Sequence, residues 1–101
     1  TRSFTYITDL VDGLILAAEK GKCEPYNFGS EIETRMIDLA KLILELYGLD
    51  AGIIHLPPVK GDVQRRCASS QKAKRELGWT PKVSLKEGLE KTIEWYEQSV
   101  A

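Results

Sequence analysis

The chain has 101 residues, of which 14 are basic and 15 acidic, and its formal net charge is −1 with histidine neutral. That length predicts a single small domain spanning residues 1–101, and the 43% share of hydrophobic residues is typical of a globular protein rather than a disordered one. The balanced charge gives no general case for binding nucleic acid or membranes, and no apolar run approaches the roughly 20 residues of a membrane-spanning helix.

The first third of the chain is expected to hold one helix flanked by short strands. Residues 6–7 predict a first strand. Asp9 is a favourable N-cap for the helix, and Gly21 is a favourable stop. Residues 26–28, closed by a glycine and a serine, predict a second strand. The helical residues expected to face the core are Leu10, Val11, Leu14, Ile15 and Ala18.

The middle of the chain predicts a second helix and a third strand. Thr34 can cap the helix, and Gly48 can end it. Residues 53–56 are apolar around a single histidine and predict a strand, which the prolines at 57–58 stop. The residues expected on the buried side of this helix are Met36, Ile37, Leu39, Ala40, Ile43, Leu44 and Tyr47.

Two further helices are expected toward the end of the chain. A short helix should start at Ser69 or Ser70 and end just before Gly78. The last helix should start after Ser84, because a serine followed three residues later by Glu87 is the capping-box pattern. Its apolar stripe is Leu85, Leu89, Ile93, Tyr96 and Val100. The predicted fold class is therefore α/β, mostly helical with two or three short strands.

Few residues outside the basic ones suggest chemistry. The two cysteines, Cys23 and Cys67, and the single histidine, His55, lack the clustered spacing of a zinc site, so we expect free thiols and no metal. His55 lies in an apolar segment without an acid or nucleophile near it in sequence, which favours a structural histidine. Asp9 is better explained as a helix cap than as a catalytic acid. No catalytic residue can be assigned with any specificity.

Residues 60–75 hold six basic side chains against one acid, Asp62, the strongest local charge imbalance in the chain. Arginine suits a diphosphate because its planar fork makes two parallel charge-assisted hydrogen bonds. The alternative is a solvated basic helix face, which is the better interpretation for Lys72, Lys74 and Arg75. For Arg66, which lies in the loop before the helix, both interpretations stay open.

Two separated segments resemble one known family. Residues 1–10 (TRSFTYITDL), and residues 61–66 (GDVQRR) leading into 72–81 (KAKRELGWTP), resemble the C-terminal part of the NAD-dependent epimerase/dehydratase family, extended short-chain dehydrogenases that act on nucleotide sugars. The resemblance implies that the family's glycine-rich dinucleotide loop and Tyr-x-x-x-Lys catalytic pair belong to an N-terminal region absent here. We therefore expect a substrate-binding portion without the Rossmann part, in which NAD belongs to the parent enzyme and does not bind this chain alone.

The resemblance also implies substrate-binding residues. The arginine of the family's Arg-Ser-Phe-x-Tyr segment, Arg2 here, commonly contacts the substrate diphosphate. Decarboxylase-like members resemble Asp-Pro-x-x-Arg-x-Pro-Asp, which makes Arg66 the second arginine. Many other members use Arg-Pro-Gly-Asp, where this chain has Lys60 in place of the arginine, a weaker point charge. Asn27 corresponds to the asparagine of an Asn-x-Gly step, although a turn-forming asparagine is the common alternative.

Ser69 and Trp79, further along the chain, also bear on the family pattern. Relatives often read Ala-Asp-x-Ser-Lys-Ala where this chain has Ser69 in place of the aspartate, which weakens the case for a loop tuned like that of an active enzyme. Trp79 matches the Leu-Gly-Trp-x-Pro segment and is expected to pack the short helix against the last one.

The resemblance implies a function for the parent protein. It should transform a UDP- or dTDP-sugar by epimerisation, dehydration or decarboxylation, and this chain should bind the substrate without turning it over. Its other partner would be the N-terminal half. One alternative is a freestanding structural module that oligomerises through an exposed apolar face. A weaker one is nucleic-acid binding by the basic loop, which the acidic last helix disfavours. No secretory leader is visible, so we expect a cytoplasmic protein.

Overall fold

The computed structural model of the protein describes residues 1–99 and contains four helices and two short strands. This matches the predicted mostly helical class with a minor β component. None of the helices in the described part of the chain is long and apolar enough to cross a membrane. The elements are β1 (Arg2–Ser3), α1 (Ile7–Lys20), β2 (Glu33–Thr34), α2 (Met36–Tyr47), α3 (Gln71–Leu77) and α4 (Leu85–Ser99).

The β structure is a small array built around β1. On one side β1 pairs antiparallel with β2, in the register Arg2↔Thr34 and Ser3↔Glu33. On the other side Arg2 forms a parallel bridge with Arg66. The predicted strands at 6–7, 26–28 and 53–56 are wrong: residue 7 starts α1, and neither of the other segments pairs as a strand. A short strand is stable only when it is hydrogen-bonded to another strand, and the sequence of a short segment does not identify its partner.

The core joins α3 to α1. Its buried apolar residues are Ala73, Leu77 and Trp79. The Trp79 ring meets the Phe28 ring edge-on at a centroid distance of 5.3 Å. Phe28 in turn lies on Gly13 of α1, where an added Cβ would come within 2.6 Å of the ring. The expectation that Trp79 packs α3 against the last helix is wrong, because its ring lies against α1 and the 26–30 segment.

Asp9 is not the N-cap of α1, which begins two residues earlier with Tyr6 as its N-cap. The side chain is 2% exposed. Its Oδ2 accepts the backbone N–H groups of Lys82 and Val83 at 3.1 and 3.0 Å. The carboxylate therefore satisfies donors in the turn before α4, a tertiary contact that competes with local capping.

Most of the remaining predicted helix ends are confirmed, and one is wrong. Gly48 and Gly78 end α2 and α3 in the left-handed conformation, with φ of 68° and 71°, which only glycine adopts without strain. Ser70 is the N-cap residue of α3, and the Oγ of Ser84 accepts the N–H of Glu87 at 3.2 Å, as predicted. Thr34 does not cap α2, because it belongs to β2. Gly21 does end α1, in an extended conformation.

Residues 1–99 leave the predicted inner face of α1 largely uncovered, whereas that of α2 is mostly half-buried, with Met36 and Tyr47 exposed. Val11, Leu14 and Ile15 are 43%, 57% and 51% exposed, and Met36 is 54% exposed. In α1 the buried residues are instead Asp9 and Gly13, so the burial expected from periodicity is wrong. An exposed apolar face, which the structural-module alternative requires, is present on α1. Of the predicted α4 stripe, residue 100 lies outside the described residues.

Candidate functional site

The candidate site lies on the array formed by β2, β1 and the segment 64–67. The N–H of Ser3 donates to the carbonyl of Arg66 at 3.2 Å, and the N–H of Arg66 donates to the carbonyl of Thr1 at 3.0 Å. Residues paired across neighbouring strands project to the same face, and successive residues alternate between faces. Arg2 and Arg66, 64 positions apart in the sequence, therefore start from adjacent backbone positions on one face.

The two guanidinium groups on this face are in different environments. That of Arg2 donates from Nη2 to Asp62 Oδ1 at 3.0 Å and from Nη1 to the carbonyl of Thr1 at 2.8 Å, with the side chain 23% exposed. Arg66 is exposed. Among residues 1–99 no acceptor engages its guanidinium. The site thus pairs one anchored arginine with one available arginine.

The opposite face of the array carries an ion pair between Arg65 and Glu33. The guanidinium donates to both carboxylate oxygens, with Nη2 to Oε2 at 2.8 Å. The hydroxyl of Thr1 donates to Oε1 at 3.0 Å. These hydrogen bonds, that of Arg65 first, lower the pKa of the Glu33 carboxyl, and the carboxylate raises the pKa of Arg65. Arg65 is therefore held away from the face that Arg2 and Arg66 share.

A second carboxylate, that of Glu31, lies at the start of α3. It accepts the N–H of Ser70 at 2.9 Å and the side-chain amide of Gln71 at 3.1 and 3.2 Å, and the hydroxyl of Ser69 lies 3.3 Å away. These bonds, that of Ser70 first, lower the pKa of the Glu31 carboxyl. Where the family pattern has an aspartate at position 69, a glutamate from another segment thus approaches the same turn. Sequence reasoning missed it because the two positions are 38 residues apart.

The other predicted site residues, Lys60 and Asn27, are not part of this backbone pairing. Lys60 lies in an exposed turn, and Asn27 is exposed between two partly buried aromatic residues. Neither side chain has a hydrogen bond or ion pair within residues 1–99. Lys72, predicted to be part of a solvated helix face, makes contacts within the fold: its Nζ lies 2.7 Å from Glu24 Oε2 and 4.6 Å from the centroid of the Tyr26 ring.

The cysteines and the histidine form no site in the described part of the chain. Cys23 and Cys67 are free thiols. No group of three potential metal ligands occurs within residues 1–99. His55 is exposed and outside any strand, so its placement in an apolar strand is wrong.

The array borders a cleft that could accept part of a ligand. This cleft has a volume of about 240 Å³ and is lined by Phe4, Ile32, Thr34 and residues 81–85, among others. A pair of arginines on one face of the array suits an anionic ligand, and Thr34, which pairs with Arg2, also lines the cleft, so the cleft adjoins that face.

The chain is similar in sequence to several known proteins. Residues 1–92 match the family model described as GDP-mannose 4,6 dehydratase. UDP-glucuronic acid decarboxylase 1 of Xenopus tropicalis is 39% identical over 100 residues, which are 99% of this chain and 24% of that protein. The chain thus spans about a quarter of the length of the curated relatives it matches.

Solved structures agree in fold. The UDP-glucose 4-epimerase of Thermotoga maritima, solved with UDP-glucose, is 40% identical with a TM-score of 0.93 over 98% of this chain and 32% of its own. A Bordetella bronchiseptica enzyme solved with NAD+ and UDP is 39% identical with a TM-score of 0.82 over 98% of this chain and 30% of its own.

Proposed function

Because the chain belongs to the NAD-dependent epimerase/dehydratase family, we propose that it supplies the C-terminal, substrate-binding portion of an enzyme acting on a nucleotide sugar. Arg2 and Arg66 hold the diphosphate. The observation that carries this proposal is the backbone pairing of the two arginines, which brings them to one face of the array.

The chemistry of the ligand matches that pair. A nucleotide sugar carries two linked phosphates at its centre, and a planar guanidinium binds phosphate oxygens through two parallel hydrogen bonds. Holding the diphosphate at both arginines fixes the nucleoside on one side and the sugar on the other. The cleft beside Phe4 and Thr34 forms part of the wall around one of these groups. Lys60 and Asn27 contribute weaker contacts at the periphery.

In this proposal the chain binds substrate and does not itself catalyse. The 101 residues contain neither a Gly-x-x-Gly-x-x-Gly loop nor a Tyr-x-x-x-Lys pair. NAD, which accepts and returns a hydride when bound, belongs to the N-terminal Rossmann region of the parent enzyme. The parent acts on a UDP- or dTDP-sugar in the cytoplasm. Turnover by residues 1–101 alone would contradict this division.

An amide-resolved NMR titration with UDP tests the proposal. We expect saturable shifts around Arg2 and Arg66, and an affinity reduced about tenfold or more in Arg66→Ala, because a hydrogen bond to a charged group is worth roughly 1.5–3 kcal/mol. Arg75→Ala is the matched control, since Arg75 is an exposed arginine on α3. Uridine, which lacks the diphosphate, should bind far more weakly. A dispersed spectrum that is indifferent to UDP, or equal affinities for all three proteins, would overturn the proposal.

The second candidate is a structural module that associates through its apolar face. The exposed Val11, Leu14 and Ile15 on α1 favour it, because a contiguous apolar surface is usually covered by another polypeptide. Sedimentation equilibrium should then show a dimer or larger species, which Leu14→Gln converts to monomer. A monomer at all concentrations that binds UDP would leave only the first candidate.

A further inference from the structure

We propose that Glu33 is a positioning residue: by holding Arg65 on one face of the array, it keeps Arg66 on the other face beside Arg2. This inference rests on the function proposed above for Arg2 and Arg66. It concerns which of two consecutive arginines meets the ligand.

The backbone alone specifies this choice weakly. Three hydrogen bonds join the segment 64–67 to the start of the chain: two between the backbone of Arg66 and that of Thr1 and Ser3, and one from the backbone nitrogen of Thr1 to the carbonyl of Gln64. A shift of one residue along an extended segment re-forms similar bonds, yet it turns every side chain to the opposite face. Here such a shift would exchange Arg65 for Arg66, and the two side chains are chemically identical.

The ion pair between Arg65 and Glu33 removes that ambiguity. Glu33 lies on β2 opposite Ser3, and Arg65 lies on the segment at the other side of β1. Their contact therefore crosses β1 and joins the two outer members of the array. Both guanidinium-to-carboxylate hydrogen bonds and the hydroxyl of Thr1 fix the carboxylate, and such bidentate geometry is directional as well as attractive.

The neighbouring side chain agrees with this alternation. Cys67, two residues after Arg65, should share its face. Its Sγ lies 3.6 Å from the carbonyl oxygen of Glu31 and 3.9 Å from that of Ser30, in the chain leading to β2. Arg66, between them, is exposed and has no ionic partner in the described part of the chain. The array thus engages one arginine internally and presents the other.

The test has a readout that needs no ligand. In the wild-type chain we expect cross-strand nuclear Overhauser contacts between Ser3 and Arg66. These should weaken or be replaced by contacts to Arg65 in Glu33→Gln, which keeps the shape but loses the charge. The double variant E33R/R65E reverses the ion pair and should restore them. Glu45→Gln, an exposed glutamate on α2, is the matched control.

The second readout is UDP affinity. It should fall about threefold to tenfold in Glu33→Gln, because one arginine is then no longer held in place for the charged ligand. In E33R/R65E the affinity should return to within about twofold of wild type. Unchanged Ser3–Arg66 contacts in Glu33→Gln would overturn the inference, as would lost contacts with unchanged affinity. A role in stability alone would lower the melting temperature and leave both readouts intact. Failure of the wild-type chain to bind UDP would instead overturn the proposed function, while the contacts still report on the register.

Discussion

The indole N–H of Trp79 donates a 2.8 Å hydrogen bond to the backbone carbonyl of Asp9, 70 positions earlier in the sequence. Both residues are 2% exposed. The bond links the first turn of α1 to the segment after α3, and the Asp9 carboxylate extends the link to the turn before α4. Three parts of the chain therefore meet at this pair.

Trp79→Phe should lower the free energy of unfolding by about 1–3 kcal/mol, because it deletes a buried hydrogen bond and leaves the Asp9 region underpacked. Urea unfolding followed by circular dichroism measures the change. Trp95→Phe is the control: Trp95 is 61% exposed, and its replacement should cost no more than about 0.5 kcal/mol. Equal effects of the two substitutions would contradict the structural role of Trp79.

Asp9→Asn should destabilise the chain by about 1–3 kcal/mol, because the neutral amide is a weaker acceptor for the N–H groups of Lys82 and Val83. Asp12→Asn on the exposed side of the same helix controls for the loss of a negative charge near the N-terminus of α1. The same urea experiment compares them. A larger loss in Asp12→Asn would indicate that the helix dipole, rather than the buried contact, explains Asp9.

Gly13→Ala should destabilise the chain although alanine favours helices by up to about 1 kcal/mol over glycine. The added Cβ would lie 2.6 Å from the Phe28 ring, and overpacking of this kind costs about 1–3 kcal/mol. Gly52→Ala is the control, since no atom lies within 4 Å of its added Cβ. A gain in melting temperature for Gly13→Ala would show that Phe28 moves aside freely.

Glu31 should make stability depend on pH. Because hydrogen bonds lower the pKa of its carboxyl below the ordinary 4.5, its contribution is fully present above that value and is lost as the pH falls through the lower folded-state pKa. The difference in unfolding free energy between wild type and Glu31→Gln should therefore shrink as the pH is lowered from 7 to 3. Glu90→Gln serves as the exposed control. A difference that stays constant over this range would contradict the assignment.

Asp62→Asn should raise the affinity for UDP about threefold, the factor that corresponds to a surface ion pair. The reason is that the Asp62 carboxylate lies 3.0 Å from the Arg2 guanidinium, where it competes with a phosphate. Isothermal titration at low ionic strength compares it with Asp50→Asn, an exposed acid that precedes the same loop. Weaker binding by Asp62→Asn would mean that the carboxylate supports the ligand instead.

The sequence by itself determined the four helices and several of their ends. Local signals suffice there: glycine adopts the left-handed conformation at Gly48 and Gly78, and the hydroxyl of Ser84 reaches an N–H three residues away. The motifs around Arg2 and Trp79 were also enough to indicate the family. All of these signals lie within short contiguous segments, so they can be recognised without knowledge of the fold.

Only the tertiary structure decided which segments pair, which faces are covered and which carboxylates serve the fold. Asp9 has the sequence of a cap and the environment of a buried acceptor, because its donors lie more than 70 positions away. The apolar spacing of α1 predicts a buried face, but most of that face is left exposed by the rest of residues 1–99, and spacing alone does not show this. Likewise, Arg65 and Arg66 are equivalent in the sequence. They become different only where Glu33, brought alongside by β1, forms its ion pair with one of them.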